Sequence, residues 1–288
     1  MFRLVAEPWH SPPRMPPPCL MPLMSRPFVS TVLLLAVAAC ARRPAEAPGG
    51  PPTPATREAP VTSSRQLVER MRERYDGKWF RTLTFLQNNT LYKRGGGEDR
   101  SQWMEYMSVP GRLRIEYLPA ANKSGVLFVN DTVFTFVNGK RMDARKRIHP
   151  LLLLGADVYA IPPERTLGQL DSLGIDLAKF REVDWEGRRT YVVGADAGDS
   201  TSSQFWVSAD SLLVVRVVES QTAGSRRVAT DYRFNKFTDV GGFPVAVEIL
   251  MLRDGRPLFK EEYADVKANV DVPETLFDTS RWTSGSTP

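Results

Sequence analysis

The sequence predicts a mainly β protein with a few helices, folded as one highly curved antiparallel sheet or barrel. In two long tracts, residues 79–137 and 183–266, apolar and polar side chains alternate with the period of a half-buried strand. Turn pairs such as Asn138-Gly139 separate these strands, so neighbouring strands form hairpins. About ten or eleven strands follow one another with one apolar insert between them, which favours a single sheet. A sandwich of two sheets remains an alternative, because short turns do not exclude it.

The N-terminal segment has the features of a signal peptide for export. Residues 28–39 form an apolar run that follows Arg26 and is too short to span a bilayer. The run ends in Val37-Ala38-Ala39-Cys40, which resembles the bacterial lipobox, whose cysteine is diacylated before cleavage. We interpret residues 1–39 as the signal peptide and Cys40 as the lipidated first residue of the mature chain. An ordinary secretory peptide that ends near a cysteine is the alternative.

The start of translation is expected downstream of Met1. Residues 1–20 are rich in proline, whereas a start near Met21 or Met24 gives a usual n-region. Residues 41–60 are also rich in proline and hold few large apolar side chains, as in an extended linker. The mature chain is therefore divided into three parts: the lipidated cysteine with its linker at 40–61, a folded domain at 62–282, and a flexible tail at 283–288.

Composition and cysteine usage argue against several function classes. The net charge is +5, but the 38 Lys and Arg residues are scattered among 33 Asp and Glu residues. Nucleic acid is therefore not expected as a partner. The two cysteines, Cys19 and Cys40, both precede the folded domain, so no disulfide is expected within it.

The folded domain is predicted to begin with a helix and a first group of strands. Ser63 and Gln66 have the spacing of a capping box, and apolar residues then recur at helical spacing up to Tyr75. Strands or hairpins are predicted at residues 79–92, 101–109, 111–117 and 125–138. The clearest alternation places Leu113, Ile115 and Tyr117 on one face.

An apolar insert at residues 149–161 separates the two groups of strands. Pro150 opens it and Pro162-Pro163 closes it, and its four consecutive leucines do not divide into a buried and an exposed face by alternation. A short helix of this kind is apolar around most of its circumference and must be covered by other apolar groups. A second helix with leucines at three-residue steps is expected after Pro163, followed by the second group of strands.

The order of these parts resembles the LolA/LolB-like family of periplasmic lipoprotein carriers and receptors. The resemblance covers nearly the whole mature domain. The segments that carry it are residues 103–117, 125–138, 150–156, 232–244 and 269–277. The resemblance implies an incomplete antiparallel β-barrel that is closed by a helical lid.

The resemblance also implies an apolar cavity for acyl chains, in which each buried methylene contributes about 0.8 kcal/mol. The residues expected to line this cavity are Leu113, Ile115, Tyr117, Phe128, Phe134 and Phe136. The residues expected to form the lid are Leu151, Leu152, Leu153, Leu154, Val158, Ile161, Leu167 and Leu170. A lid that yields to lipid and a helix that permanently completes the core use the same residue types, so both interpretations remain open.

Two positions depart from the pattern of the family. Its soluble carriers place an arginine, which holds the lid shut, just before the proline that corresponds to Pro110, and this chain has Val109 there. Its membrane-bound receptors project an apolar side chain from the loop that corresponds to residues 119–124, and this loop has no large apolar tip. Cys40 fits the receptor type better, but carrier and receptor both remain open.

Neither catalysis nor a cofactor is expected. His149 is the one histidine of the mature chain, and its place beside Pro150 fits a helix entry better than a general base. The sequence contains no nucleophile elbow, metalloprotease motif or P-loop, and no metal site is expected. Four carboxylates on predicted strands are interpreted as part of the polar outward face: Asp231, Glu248, Glu261 and Glu262. An acid pair for hydrolysis remains the alternative.

The sequence therefore predicts a periplasm-facing, lipid-anchored protein that binds acyl chains of lipids or lipoproteins during lipoprotein sorting. Ala41 follows Cys40 where an Asp would favour the inner membrane, so the outer membrane is expected. The expected partners are the membrane, through Cys40, and a carrier or receptor protein of the sorting pathway. An envelope-stress sensing module and a structural outer-membrane accessory lipoprotein are the alternatives.

Overall fold

The computed structural model describes residues 60–223 and 226–283. In these ranges the chain forms the helices α1 (Ser64–Arg74), α2 (Pro150–Gly155) and α3 (Pro163–Ser172). The strands are β1 (Thr82–Tyr92), β2 (Glu98–Ser108), β3 (Arg112–Tyr117), β4 (Gly125–Val129), β5 (Thr132–Val137), β6 (Lys140–Lys146), β7 (Phe180–Trp185), β8 (Arg188–Val193), β9 (Gln204–Ser208), β10 (Val214–Ala223), β11 (Arg226–Val240), β12 (Phe243–Arg253) and β13 (Arg256–Ala268). The predicted signal peptide, Cys40, nearly all of the predicted linker and residues 284–288 of the predicted tail lie outside the described residues.

The thirteen strands form one antiparallel sheet, which confirms the predicted fold class. Their order is β6-β5-β4-β3-β2-β1-β13-β12-β11-β10-β9-β8-β7. The edge strands β6 and β7 do not pair with each other, so the curved sheet is unclosed. The predicted count of about ten or eleven strands was too low, because the exposed, largely basic strand β6 has no apolar alternation to reveal it. Charged side chains along such an edge also disfavour pairing with other chains.

Helix α1 is defined at both ends by its local sequence. Ser63 Oγ accepts a hydrogen bond from the Gln66 N–H at 3.2 Å, and Gln66 Oε1 accepts one from the Thr62 N–H at 2.8 Å. These bonds satisfy donors that a helix N-terminus leaves free. The chain turns away at Gly77, where φ is 66° and a Cβ would be strained. The helix buries one apolar stripe, formed by Leu67, Val68 and Met71.

The insert between β6 and β7 connects the two edges of the sheet. It contains α2, a 3-10 turn at Asp157–Tyr159, and α3. Pro150 and Pro163 lie in the first turn of their helices, where the missing N–H removes no hydrogen bond. His149 caps α2, because its Nδ1 accepts a hydrogen bond from the Leu152 N–H at 3.1 Å. Since the chain leaves one edge and enters the other, the insert crosses the gap in the unclosed sheet.

The insert packs on the concave face of the sheet through two apolar clusters. The first, which we call the front cluster, contains Leu152 and Ala156 of the insert together with Phe80, Leu83, Phe85, Leu113, Ile115, Phe128, Val133 and Val245. The second, which we call the helical cluster, combines the stripe of α1, most of the insert and the inward side chains of β8, β9 and β10. Burial of each large apolar side chain of this kind contributes roughly 1.5–3 kcal/mol.

The C-terminal segment, residues 270–283, covers the convex face of β2, β3 and β4. Arg114 is fully buried beneath it. Its guanidinium donates to Glu116 Oε1 at 2.8 Å and to the Leu276 carbonyl at 2.9 Å, and it also donates to the Thr283 carbonyl. It lies 3.6 Å from the centroid of the Trp282 ring. One buried charge on β3 therefore fixes the end of the domain against the sheet.

Replacement of Arg114 by Met should lower the free energy of unfolding by about 3–5 kcal/mol, because the buried Glu116 carboxylate loses the guanidinium that compensates its charge. The matched control is Arg189→Met. Arg189 also pairs with a glutamate, Glu182 at 2.8 Å, but both side chains are largely exposed, so little change is expected. Urea denaturation of the two variants measures the difference. Equal losses would mean that Arg114 does not hold the C-terminal segment.

Candidate functional site

The predicted lid residues divide between the two clusters. Leu152 points into the front cluster. Six of the predicted lid residues lie in the helical cluster: Leu153, Leu154, Val158, Ile161, Leu167 and Leu170. Leu151 is partly buried at the margin of the same cluster. The insert is thus a wedge, and only one side of it faces the sheet surface formed by β1 to β5.

The predicted cavity residues do not all share one face of the sheet. Leu113, Ile115 and Phe128 lie in the front cluster, and Tyr117 packs against its margin. Phe134 and Phe136 lie on the convex face, in the cluster that includes Trp282. The prediction that Phe134 and Phe136 line the cavity was therefore wrong. The β4–β5 turn pairs Phe128 with Val133, so the inward position of β5 is one residue earlier than expected.

Beneath the insert, the concave face is filled by the insert's own side chains. A cavity of about 10 Å³ adjoins Phe128, His149, Leu152 and Asp157. This is about the volume of one water molecule at most. An acyl chain can reach the front cluster only where Leu152 and Ala156 move aside.

Four polar contacts fasten the insert to the sheet. The Asp157 carboxylate accepts the Gly111 N–H, with N–O distances of 3.0 and 3.1 Å. Three further contacts join the insert or its approach to the sheet: Gln169 Nε2 to Asp131 Oδ1 at 2.8 Å, Arg147 Nη2 to Glu219 Oε1 at 3.2 Å, and Val214 N–H to Tyr159 Oη at 3.0 Å. Gly111 and Asp131 lie in the turns that form the rim of the sheet. Three of these contacts lie near the rim, whereas the bond between Val214 and Tyr159 is buried in the helical cluster.

The charged group that joins the insert to the rim has the opposite sign from the arginine that the family resemblance implies, and it lies on the insert. Val109 cannot serve as the arginine that fastens a lid. Two residues later, the Gly111 N–H binds a carboxylate that the insert supplies. Burial raises the pKa of Asp157 to about 7, an effect that the Gly111 hydrogen bond and Arg165 partly oppose and that Asp131 reinforces. The contact between Gly111 and Asp157 thus depends on a carboxyl whose ionised form is disfavoured by burial.

His149 is electrically neutral at physiological pH. Burial, together with the charge of Arg147, lowers its pKa to about 4. A neutral imidazole leaves Nδ1 free to accept the Leu152 N–H, so the side chain fulfils the helix-entry role that its position beside Pro150 predicts. Its nitrogen is used in the start of α2 rather than presented to a substrate.

The end of the concave face away from the insert presents aromatic side chains. Trp103 lies 5.3 Å from Tyr117 and 5.7 Å from Phe259, measured between ring centroids. All three are only partly buried, and Leu91 beside them is 37% exposed. This open end of the sheet therefore presents apolar and aromatic surface to solvent.

Two buried carboxyls lie on the same face, and the sequence did not identify them. Glu105 is 5% exposed and Glu261 is 7% exposed. The interpretation of Glu261 as part of the polar outward face was wrong, because its partner across β1 is the inward residue Asn89. Glu105 was not singled out, although it pairs with Ile115 across the β2–β3 hairpin. Because Ile115 was predicted to face the cavity, this pairing indicates that Glu105 also faces inward. Glu248, Glu262 and Asp231 do lie in ion pairs on the other face.

Solved structures share this architecture at low sequence identity. A LolA superfamily protein from Nitrosomonas europaea is 13% identical, and the match covers 75% of this chain and 98% of that one with a TM-score of 0.50. The chain has the LolA-like fold. Two further matches have TM-scores of 0.49: a DUF1329 family protein from Desulfovibrio piger and a putative outer membrane lipoprotein-sorting protein domain from Vibrio parahaemolyticus. Their identities are 14% and 10%, and the matches cover 75% and 74% of this chain and 95% of each of theirs.

The structural comparison therefore supports the resemblance that the order of the sequence segments predicts, whereas comparison of the sequence with known sequences finds no match. No protein-family model matches the sequence, and no curated protein sequence does so either. Over residues 60–223 and 226–283, no helix has the length and apolar character needed to cross a membrane. The same residues contain no group of three or more His, Cys, Asp or Glu side chains placed to hold a metal ion.

Asp157→Asn should change how stability depends on pH. A carboxyl whose pKa is raised from 3.8 to about 7 on folding stabilises the fold at low pH and loses that contribution as pH rises towards 7. Asn keeps an oxygen for the Gly111 N–H but cannot ionise. The free energy of unfolding of the variant, relative to that of the wild type, should therefore rise by on the order of 2 kcal/mol when the pH is raised from about 5 to about 8.

Urea denaturation at the two pH values measures this gain. The other buried acids are present in both proteins, so their effects cancel in the difference. Asp171→Asn, on the exposed side of α3, is the control and should show no such gain. A pH dependence equal in wild type and Asp157→Asn would contradict the assigned role of Asp157.

Proposed function

We propose that this protein is an envelope lipoprotein that binds acyl chains of lipids or lipoproteins on the concave face of its unclosed sheet. The observation that carries the proposal is the insert. It bridges the two sheet edges, and it buries Leu152 and Ala156 against an apolar surface formed by β1 to β5. A sheet surface of this composition needs an apolar cover, and an acyl chain is chemically equivalent to the leucine that now covers it.

The binding energy of an acyl chain is sufficient to replace this cover. Each methylene transferred from water contributes about 0.8 kcal/mol, so several methylenes match the burial of one leucine. The polar contacts that must break lie at the periphery of the insert, at Asp157, Gln169 and Arg147. Each such contact contributes about 0.5–3 kcal/mol net. The free energy that is lost when the insert moves aside is therefore of a size that the burial of one acyl chain can supply.

The two sides of the insert have different roles in this proposal. The helical cluster joins α1, the insert and the second half of the sheet, and it is the permanent core. The front cluster receives only Leu152 and Ala156 from the insert. Binding then requires a small rotation or shift of the insert about the helical cluster, with no unfolding of α1 or α3.

The anchor and the site of action follow from the N-terminal segment. We propose that Cys40 carries the lipid, that residues 41–60 act as the tether, and that the domain faces the periplasm from the outer membrane. A carrier or receptor protein of the lipoprotein-sorting pathway is the proposed exchange partner. The function is binding without catalysis, a role consistent with the use of His149 as a helix cap.

Leu152→Asp and Leu154→Asp should separate the exchangeable side of the insert from the permanent one. Leu154 is fully buried in the helical cluster, so Asp there should remove several kcal/mol of stability and unfold the domain. Leu152 can turn outward with the insert, so Asp there should keep the fold and abolish retention of lipid. Circular dichroism melts report the fold, and mass spectrometry of lipid extracted from the purified protein reports retention.

The comparison of these two variants also tests the alternatives. Unfolding by both would make the whole insert a fixed core and remove the proposed cover. Retention of lipid by a folded Leu152→Asp variant would show that the front cluster is not the acyl site. Co-purification of a stoichiometric protein without any lipid would favour the envelope-stress sensing module.

Cys40→Ser should release the protein from the membrane. The serine cannot be acylated, so the variant has no lipid anchor once its signal peptide has been removed. Fractionation of cell envelopes should find the variant among soluble proteins and the wild type in the outer-membrane fraction. Wild type in the soluble fraction would contradict the anchor, and wild type in the inner-membrane fraction would contradict the location.

A further inference from the structure

The open end of the concave face has an acidic floor that lipid binding alone does not use. Glu105 on β2 and Glu261 on β13 flank β1, and both point to the inward side of the sheet. Each is more than nine-tenths buried. Burial raises the pKa of Glu105, and the charge of Glu261 raises it further; burial raises the pKa of Glu261 to about 7. We call Glu105, Glu261, Gln87 and Asn89 the acidic floor.

One polar group of the acidic floor lacks a hydrogen-bond partner in the described part of the chain. Asn89 is 2% exposed, and its Nδ2 is buried without an acceptor, while its Oδ1 accepts a bond from Gln87 Nε2 at 2.7 Å. Buried groups of this kind are normally satisfied, and a group left unpaired destabilises the fold. A ligand that supplies the missing acceptor removes this cost.

Aromatic rings border the acidic floor. Tyr263 stacks on Phe85 with 4.1 Å between ring centroids, and its hydroxyl donates to Glu261 Oε2 at 2.8 Å. Trp103 lies beside the floor with Tyr117 and Phe259, and these three rings are partly exposed. Carboxyls next to aromatic faces are the usual surroundings of an organic cation.

We propose that the acidic floor binds the ammonium group of an organic amine, whose apolar part lies along Trp103, Tyr117 and Phe259. The ammonium donates to Glu105 and contacts the aromatic faces, and an oxygen of the same ligand accepts from Asn89 Nδ2. Ligands of this class include a short alkyl amine and the aminoethyl head group of a lipid. The site is reached from the open end of the sheet, so it does not require movement of the insert.

An ammonium ion fits this floor better than a metal ion. Ca²⁺ takes six to eight oxygen ligands and Mg²⁺ takes six, in fixed geometry. The residues described include no cluster of three carboxylate, imidazole or thiol groups, whereas an ammonium needs fewer ligands and gains from the rings.

Binding at the acidic floor is coupled to proton release. Other titratable groups face the floor from the strands packed against it: Tyr117 on β3, Tyr232 on β11, Tyr263 on β13 and the Arg147–Glu219 pair from the rim and β10. The tyrosine pKa values are raised, so these hydroxyls stay neutral. Burial and the charge of Glu261 favour the protonated form of Glu105 in the empty site, whereas a bound ammonium favours the carboxylate, so binding shifts Glu105 towards release of its proton.

Calorimetry with n-hexylammonium and with n-hexanol tests the proposal on the mature chain near pH 7. The two probes have the same alkyl chain and differ in charge. The ammonium should bind at least about tenfold more tightly, as one charge-assisted hydrogen bond predicts. Its binding enthalpy should also vary with the ionisation enthalpy of the buffer, because protons are released. Equal affinities, or an enthalpy that does not depend on the buffer, would overturn the proposal.

Glu105→Gln and Glu261→Gln should each remove the preference for the ammonium and leave hexanol binding unchanged. Glu262→Gln is the matched control, since Glu262 is the neighbour of Glu261 and lies on the opposite face, paired with Lys260 at 2.9 Å. It should bind both probes as the wild type does. Loss of the preference in Glu262→Gln to the same degree as in Glu105→Gln would contradict the site. The dependence of the binding enthalpy on the buffer is measured on the wild type, so it tests the proposal even if a variant does not fold.

Short-chain phosphatidylethanolamine and phosphatidylglycerol distinguish the source of the amine. Tighter binding of phosphatidylethanolamine than of n-hexylammonium would identify a lipid head group. Binding of the alkyl amine without a preference between the two lipids would identify a small soluble amine. Equal retention of acyl chains with no ammonium preference would overturn this inference while leaving the proposed function intact.

Discussion

The gap between β6 and β7 is the constraint on which the rest of the structure depends. A curved sheet with apolar side chains on its inner face needs either closure or a cover. Here the chain supplies the cover from the connection between the two edges themselves. The cover therefore cannot leave the sheet, whatever its position, because it is tied to both edges. Any movement of the insert is limited to rotation or shift within the gap.

The insert is fastened to the rim by a group that can titrate. The rim offers a backbone N–H at Gly111, and the insert brings the charge on Asp157. An arginine on the rim would remain charged at any physiological pH, whereas a buried aspartate can take up a proton. The contact between the insert and the rim is consequently sensitive to pH in a range where an arginine would not titrate. The Arg147–Glu219 pair, which joins the approach of the insert to β10, is partly exposed and adds less.

Much of the fold could be predicted from the sequence, because alternation and turn residues report on faces that are half buried. Leu113, Ile115 and Tyr117 show this, as does the capping residue Ser63. Strand β6 was missed because all its side chains are exposed, and an edge strand without a buried face has no period. Phe134 and Phe136 were placed on the wrong face because the register of β5 depends on a turn that the sequence does not define to one residue.

The site was harder to predict than the fold for a different reason. A glutamate on a strand is usually on the solvated face, and nothing local distinguishes Glu261 from its neighbour Glu262. The difference arises from the pairing of β1 with β13, which are far apart in the chain. Glu105 and Glu261 come together only across that pairing. Clusters of this kind depend on long-range register, which a single sequence specifies only weakly.

The pairing of β1 with β13 also has a consequence for biogenesis. Leu83 pairs with Ala268, so the middle of the sheet forms only after almost the whole domain has been synthesised. Until then β1 is an unpaired strand edge in a half-sheet that already contains β2 to β6. Contacts of such long sequence separation make folding slow. A holding chaperone is therefore expected to assist the newly made chain, and its binding surface would be the bare edge of β1.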